Sequence, residues 1–537
     1  MLLSLLLLSY ALVLSFFMGN FIWPVLEKVF KTGKKLDLHP AIYPIIGLAV
    51  MSPIIAVYHF YSKVDLFLHF FFLLFFVSNF KYAKQGFLNL IGFIKNNLLV
   101  FSLLILGALL AIIGRPGMGD IADYHLQAIQ WVEKYPLLPG LGNFNRPLAN
   151  NNWWFNLQAF WGFSFLGVKS VYVGNALYFI CLFSYLFFAE PISKAQQWMR
   201  FLFAAFILLS LKTAFVGAVT PDIIVTGMIY LLLDLYLLAA AKIDLRKGYL
   251  LLMVLFILWI VTVKATAIVF FMLPLLWLIH LLRHKQWLFI AKLFVLGLLF
   301  LVPWFIGNVI LCGYLLYPFN QIDLFAVDWK VPAFYFEFDK IVLNSWGKVS
   351  GQDIYLTQKM GIGEWLPIWF GKLDILNRLL VIGFASCAPL VALFSYKKKE
   401  IIWPLAFVLL SFTIIFLNGP HPRFLFGYML STIAFALYLF SAKIPFEAPK
   451  KFIPLLGLAL VLFLSFKAVL QKDLPSAWFE PKPYPHEQLE ARNIDGFEVF
   501  ITKNANSCWD QFPSSYYFID SVGLRGADIK KGFSVKH

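Results

Sequence analysis

Charge is scarce in this 537-residue chain: 13% of its residues are Asp, Glu, Lys or Arg, against 61% apolar, and the mean hydropathy is +0.79. A soluble globular chain carries about 25% charged residues, so water cannot be the solvent for most of this one. Cysteine is nearly missing as well. Cys181, Cys312, Cys387 and Cys508 are scattered without ligand spacing, which indicates neither a disulfide framework nor a zinc site. No P-loop, H-E-x-x-H, G-x-S-x-G or dinucleotide fingerprint occurs, leaving ATP-driven and soluble-nucleotide chemistry without support. No internal repeat occurs, so the inverted-repeat signature of secondary transporters is missing too. The first apolar run, Met1 to Trp23, lacks a basic leading segment and a small-residue cleavage site, and reads as a retained helix rather than a signal peptide.

What the chain has in abundance is hydrophobic runs. A membrane-crossing helix needs about 20 mostly apolar residues, and such runs recur to about Leu470. They lie near 1–23, 41–59, 64–80, 97–114, 169–189, 199–218, 222–241, 248–262, 265–282, 286–309, 379–396, 401–418, 424–441 and 453–470. The fold class is therefore an all-α polytopic membrane protein of about 14 transmembrane helices, with long outer loops and a small extramembrane C-terminal tail. Three regions follow: N-terminal transmembrane helices in 1–96, a transmembrane domain in 97–470 with outer loops 115–168 and 310–378, and a tail in 471–537.

The net charge of +16 comes from short basic connections on alternate sides: Lys28, Lys31, Lys34 and Lys35; Lys81, Lys84 and Lys95; Lys242, Arg246 and Lys247; Arg283 and Lys285; Lys397, Lys398 and Lys399; Lys443, Lys450 and Lys451. Positive loops stay cytoplasmic and meet anionic lipid head groups, so membrane lipids, not nucleic acid, are the partners this charge implies. Both termini, both long loops and the tail then face outside. The pair 248–262 and 265–282 requires a break near Lys264; one long helix there would invert everything downstream. Trp153 to Gly167 is aromatic and amphipathic, as expected of a helix lying in the interface. The tail, with Pro475, Pro481, Pro483 and Pro485 ahead of a mixed segment ending in SSYYFIDSVGLRG, is expected to form a small ordered piece with one or two strands.

The first outer loop, GRPGMGDIADYHLQAIQWVEKYPLLPGLGNFNRPLANNNWW, is the densest polar cluster in the chain. Asp120 and Asp123 flank the start of a short helix. A partly desolvated carboxylate at the membrane boundary can take a proton as general base, and Asp120 can equally cap that helix. His125 and Gln127 read either as substrate contacts or as loop hydrogen-bonding groups. Asp222, in the turn Thr220-Pro221-Asp222, either caps the next span or serves the site. Lys264 interrupts an apolar stretch, where a charge costs about 2.5–3.5 kcal/mol. It needs a partner or a water-filled cavity unless its stem snorkels to the interface. Arg423, with His421 two residues earlier, can hold a phosphate bidentately or merely anchor a span. Trp153 and Trp154 offer an aromatic surface for sugar or lipid.

An acidic first outer loop on a multi-helix bundle resembles the GT-C superfamily of integral-membrane glycosyltransferases. More closely, Asp120, Tyr124, His125, Gln127, Ala128 and Ile129, then Pro303-Trp304 through Cys312-Gly313-Tyr314 to Tyr317-Pro318, and Pro422-Arg423-Phe424 resemble a family of uncharacterised bacterial multi-pass proteins related to that superfamily. The resemblance runs from about residue 97 into the tail. It implies a GT-C-like bundle and a sugar donor carried on a polyprenyl phosphate, transferred to a glycan or lipid acceptor on the periplasmic face of a bacterial cytoplasmic membrane. It carries the catalytic carboxylate onto Asp120, with Asp123 in reserve. The phosphate clamps fall on Lys264 and Arg423 and the outer Pro-Asp element on Asp222. A divalent ion, magnesium or manganese, is left open.

Two departures stand. Trp304-Phe305-Ile306-Gly307-Asn308 lacks the arginine of the family's Arg-Asn pair. Ser514 and Ser515 occupy the region where a second cysteine after Cys508-Trp509-Asp510 would fall, so no tail disulfide is expected. The rival functions are a lipid-linked glycan polymerase or ligase, for which loop 310–378 offers only Arg378, and a flippase, which would distribute ionisable groups along span interiors, where Asp234 is the main exception. A non-catalytic scaffold is the third.

Overall fold

The computed structural model describes all residues except 115–118, 168–169, 213–214, 397, 442–443, 445–446, 471–483, 486–487, 503–507, 516–520 and 537. Lys397, Lys443, Pro475, Pro481, Pro483 and part of the SSYYFIDSVGLRG segment thus lie outside the described residues. In chain order the helices are α1 Leu2–Phe30, α2 Ile42–His59, α3 Leu66–Asn96, α4 Leu98–Ile113, α5 Leu126–Lys134, α6 Leu141–Phe144, α7 Trp153–Gly162, α8 Gly174–Phe188, α9 Lys194–Leu209 and α10 Asp222–Ala241. They continue as α11 Arg246–Val263, α12 Met272–Arg283, α13 Trp287–Cys312, α14 Ala333–Lys348, α15 Ile354–Lys359, α16 Ile362–Lys372, α17 Ile375–Ser395, α18 Lys399–Asn418, α19 Pro422–Phe440 and α20 Phe452–Leu470.

Among the described residues, 11 helices are long and apolar enough to cross a membrane. The other expected spans, 97–114, 169–189 and 199–218, overlap α4, α8 and α9, which have 16, 15 and 16 residues, and α9 starts at Lys194 and stops at Leu209 rather than near 218. At about 1.5 Å per residue such helices reach roughly 24 Å, short of the ~30 Å hydrocarbon core. The chain breaks where required: Lys264 is extended (φ −149°, ψ 110°) between α11 and the 3₁₀ turn Ala265–Phe271 that leads into α12.

Two expectations are corrected. Lys81, Lys84 and Lys95, expected in a loop, lie inside the 31-residue α3; no proline interrupts it, and it ends only at Asn96. The Trp153–Gly167 segment does not lie in the interface, because α7 is buried at every residue. Its residues are apolar nearly all round, so every face finds a neighbour. Its two polar side chains turn inward, with Gln158 Nε2 donating to Asn175 Oδ1 at 2.8 Å.

Small residues set the closest helix approach. A Cβ on Gly19 of α1 would fall 1.8 Å from the Tyr43 carbonyl oxygen, and one on Gly47 of α2 would fall 1.8 Å from that of Ser15. The backbones of α1 and α2 therefore meet where only glycine fits, and that close packing supplies the attraction lipid cannot.

The basic connections gather at one end of the bundle. Lys34 Nζ meets Asp244 Oδ2 at 2.7 Å, Lys194 Nζ donates to the Ile444 carbonyl at 2.6 Å, and Lys450 Nζ donates to that of Phe187 at 3.3 Å. The two long loops and the tail cover the opposite end. Asn143 Nδ2 donates to the Trp329 carbonyl (2.9 Å), Phe533 N to that of Pro139 (2.9 Å), and Arg525 Nε meets Asp328 Oδ2 (2.8 Å). The tail carries more strand than expected. β1 Leu489–Ile494 pairs antiparallel with β2 Phe497–Thr502, β3 Ser514–Ser515 adds in parallel, and β4 Val522–Leu524 pairs with β5 Phe533–Val535.

Candidate functional site

At the loop-covered end, α4 stops at Ile113, and the chain returns through a single wide π turn, Ile121–His125, that continues directly into α5. Such turns favour functional positions because they rotate side chains out of α register. Asp120 precedes this turn with helical backbone angles and makes no capping hydrogen bond. Its carboxylate instead meets the Arg423 guanidinium, 303 residues away. The cap reading therefore fails for Asp120.

Arg423 stands in the first turn of α19, which Pro422 opens with a preset φ, while its backbone N–H lies 3.4 Å from His421 Nδ1. Its Nε lies 3.5 Å from Asp222 Oδ2. Asp222, buried at the start of α10, also meets Lys264 Nζ at 3.3 Å through Oδ1 and receives the Thr220 hydroxyl at 3.2 Å. Lys264 Nζ lies 3.8 Å from the centre of the Phe424 ring. Lys264 thus has both a carboxylate and an aromatic face as partners. Asp120, Asp222, Lys264 and Arg423, drawn from four separate segments, form one continuous network of alternating charge.

Around this network lie side chains held away from water. Burial, reinforced by the Asp120 charge, pushes the Asp123 carboxyl up to about 7, and its buried Oδ1 has no hydrogen-bond partner among the described residues. Burial holds His125 down to about 4, against the pull of Asp120 and Asp222. Burial, then the Arg423 charge, does the same for His421, also to about 4. Both imidazoles are neutral near pH 7.

A cavity of about 570 Å³ opens beside the network, lined by Asp222, His421 and Arg423 at its polar end. Its flank is apolar, with Phe206, Ile207, Leu209, Ile223 and Phe426 from α9, α10 and α19. The second outer loop closes it with Trp346 and Lys348 of α14 and Trp369 and Lys372 of α16. These four residues escaped sequence reasoning, which weighed only arginines in that loop. The signal was there in two tryptophan–lysine pairs, Trp346-Gly347-Lys348 and Trp369-Phe370-Gly371-Lys372. Arg378, weighed for the polymerase alternative, is spent locally on the Gly371 carbonyl.

Three site candidates lie elsewhere. Trp153 and Trp154 form no open aromatic surface: they are buried in the core, Trp153 near Phe300 and Trp154 donating through Nε1 to Asn175 Oδ1 at 2.8 Å. Gln127 is wholly occupied by the tail, with Nε2 donating to the carbonyls of Trp509 (3.0 Å) and Gln511 (2.8 Å) and Oε1 accepting from Ser514 N (3.0 Å). Backbone N–H groups of Cys508 and Trp509 both reach the Ala122 carbonyl at 2.9 Å, so the tail braces the turn that carries Asp123. For magnesium or manganese, no group of three or more His, Cys, Asp or Glu residues converges among the described residues. Arg423 and Lys264 already occupy the space between the carboxylates, and this donor set does not fit a divalent cation.

A family model described as a domain of unknown function (DUF8201) matches residues 1–430. No curated protein and no solved structure matches the chain.

Proposed function

The chain belongs to the DUF8201 family, whose description assigns no activity, and from the geometry of the site itself we propose an integral-membrane glycosyltransferase. It takes a sugar from a polyprenyl-phosphate-linked donor and transfers it to a glycan or lipid acceptor on the periplasmic face of a bacterial cytoplasmic membrane, with both termini on that face. The observation that carries this reading is the Asp120–Arg423–Asp222–Lys264 network, which reaches the polar end of a cavity through Asp222 and Arg423, while the flank of that cavity is apolar helix. Apolar flank and cationic end together suit a lipid whose head is an anion.

The chemistry divides as follows. Arg423 and Lys264 hold the donor phosphate, the leaving group, whose charge grows as its bond to the sugar breaks and which fixed cations therefore stabilise most in the transition state. Asp222 orients both cations. Asp120 has one carboxylate oxygen committed to Arg423, so Asp123, whose buried Oδ1 has no hydrogen-bond partner among the described residues, is the freer of the two to take the acceptor's proton. A carboxyl lifted to about 7 is half-ionised at neutral pH and matched to proton transfer there. The acceptor oxygen or nitrogen, losing its proton to Asp123, bonds to the anomeric carbon, and the phosphate departs with the electron pair of the broken bond. A glycan polymerase or ligase would share the donor and differ in the acceptor. The flippase reading loses its main support, because Asp234 is sealed in a buried bidentate pair with Arg200 at 2.7 and 2.8 Å.

The test is transfer of labelled sugar from a polyprenyl-phosphate donor by the protein in proteoliposomes. Arg423→Gln is expected to lose roughly 10²–10³ in rate, as other fixed oxyanion partners do. Wild-type turnover by Arg423→Gln would remove the network from the mechanism. Movement of intact donor across the bilayer without covalent product would make the protein a flippase.

A further inference from the structure

The cavity wall carries more positive charge than the network beneath it uses. Arg423 and Lys264 are matched by two carboxylates, Asp120 and Asp222. Lys348 and Lys372, from the second outer loop, have no carboxylate partner among the described residues; Lys372 Nζ donates to the Ser350 carbonyl at 2.7 Å, and Lys348 Nζ lies 5.9 Å from the Trp365 ring centre. The other acid in the wall, Asp374, is engaged in starting α17, accepting from Asn377 N at 3.0 Å and from Asn377 Nδ2 at 2.6 Å. Two lysines therefore line the cavity without an ion-pair partner among the described residues, against the single carboxylate of Asp374.

They are held firmly in place. Trp369 Nε1 donates to the Pro420 carbonyl at 2.7 Å, tying α16 to the residue before His421. Asn344 Nδ2 donates to the Leu417 carbonyl at 3.0 Å, tying α14 to the end of α18. The helices bearing Lys348 and Lys372 are thus pinned to the backbone that leads into Arg423. Trp346, half exposed at 52%, presents a ring at the same rim.

Resting on the proposed function, we infer that Lys348 and Lys372 form a second anion subsite, so that the donor lipid is linked to its sugar through a diphosphate rather than a single phosphate. A phosphodiester-linked donor carries one negative charge; a diphosphate-linked donor carries two, one on each phosphorus. Arg423 and Lys264 engage the first, and the lysines of the second loop engage the other, where ion-assisted hydrogen bonds are strongest against an otherwise unmatched charge. Trp346 packs on the sugar beyond it.

The experiment measures equilibrium binding to the full chain in nanodiscs with three probes: farnesyl monophosphate, farnesyl diphosphate and inorganic pyrophosphate. Wild type is expected to bind farnesyl diphosphate roughly tenfold more tightly than either other probe. The double variant Lys348→Gln/Lys372→Gln loses that preference while keeping wild-type affinity for the monophosphate, which also reports its folding. Should the double variant lose the monophosphate as well, the two single variants decide: each must narrow the preference, and a preference retained in both overturns the inference. Equal affinity of wild type for mono- and diphosphate, with both lost in Arg423→Gln, overturns the second subsite and leaves the proposed function standing. Pyrophosphate bound as tightly as farnesyl diphosphate also overturns it, since the site would then read a soluble anion. No binding of any probe by wild type removes both.

Discussion

Arg423 divides one guanidinium between Asp120 and Asp222, and Asp222 in turn divides its carboxylate between Arg423 and Lys264. Asp222→Asn would leave a largely buried ammonium without its charge partner. That change is expected to cost about 3–5 kcal/mol, read as a lowered unfolding temperature in detergent. Asp234→Asn should destabilise by a comparable amount through Arg200, yet leave donor binding unchanged, because neither residue lines the cavity. Two carboxyls make stability depend on pH. Burial raises Asp123 to about 7 and Glu133 to about 8, the latter against a hydrogen bond from Ser170. The folded state therefore holds protons that the unfolded state releases near pH 4, and stability falls as pH rises from there through 8. Glu133→Gln is expected to flatten this fall up to pH 8, most clearly between pH 7 and 8 where Asp123 no longer contributes, measured by thermal unfolding. Transfer should respond in the opposite sense, rising as Asp123 ionises through pH 7, with that limb missing in Asp123→Asn. In the sequence Lys264 stands out because a charge inside an apolar stretch is costly, and Asp120, Asp222 and Arg423 stand out as charged groups at the outer ends of spans. Lys348 and Lys372 stand out only through the tryptophan that precedes each, since lysine in a polar loop is cheap and its meaning depends on what folds against it.

At the scale of elements, hydropathy located the helices well because lipid imposes a single demand, that each backbone amide be bonded within its own segment. What it could not supply was which face meets which neighbour. A helix that is apolar all round offers no direction, so the sequence of α7 reads as an interfacial helix although it packs in the core, and that of α3 reads as ending at lysines that a helix tolerates. The contact of α1 with α2 is similarly silent in sequence, since Gly19 and Gly47 acquire meaning only from the carbonyls opposite. Gly47→Leu is expected to force those backbones apart and cost at least 1–3 kcal/mol, roughly the penalty of overpacking, with loss of thermal stability as the readout. Trp369→Phe keeps an aromatic ring, though a smaller one, and deletes the bond to Pro420. It should weaken donor binding several-fold while leaving turnover of bound donor nearly unchanged, a split visible as raised KM at constant kcat.

Over the whole molecule, polarity is sorted by end. Short lysine-bearing connections collect at one end, and the long loops, the tail and the charged network collect at the other, as the alternation of basic segments along the sequence requires. Single cysteines introduced at Asp244 and Asp495 in a chain otherwise free of cysteine should react with an impermeant maleimide from opposite sides of the membrane, Asp244→Cys from the cytoplasmic side. Labelling of both from one side would overturn the topology. The tail's strands were only partly legible, because short strands at a loop surface carry little alternation; its role was not legible at all. Gln127 spends every hydrogen-bonding group of its amide on residues 509–514, and Ala122 receives two more bonds from residues 508 and 509. Synthesis must therefore run nearly to residue 514 before the Asp123 turn acquires its lining. A ribosome-bound chain, however many of its helices are already in the bilayer, therefore lacks the brace on this turn until its last strands emerge.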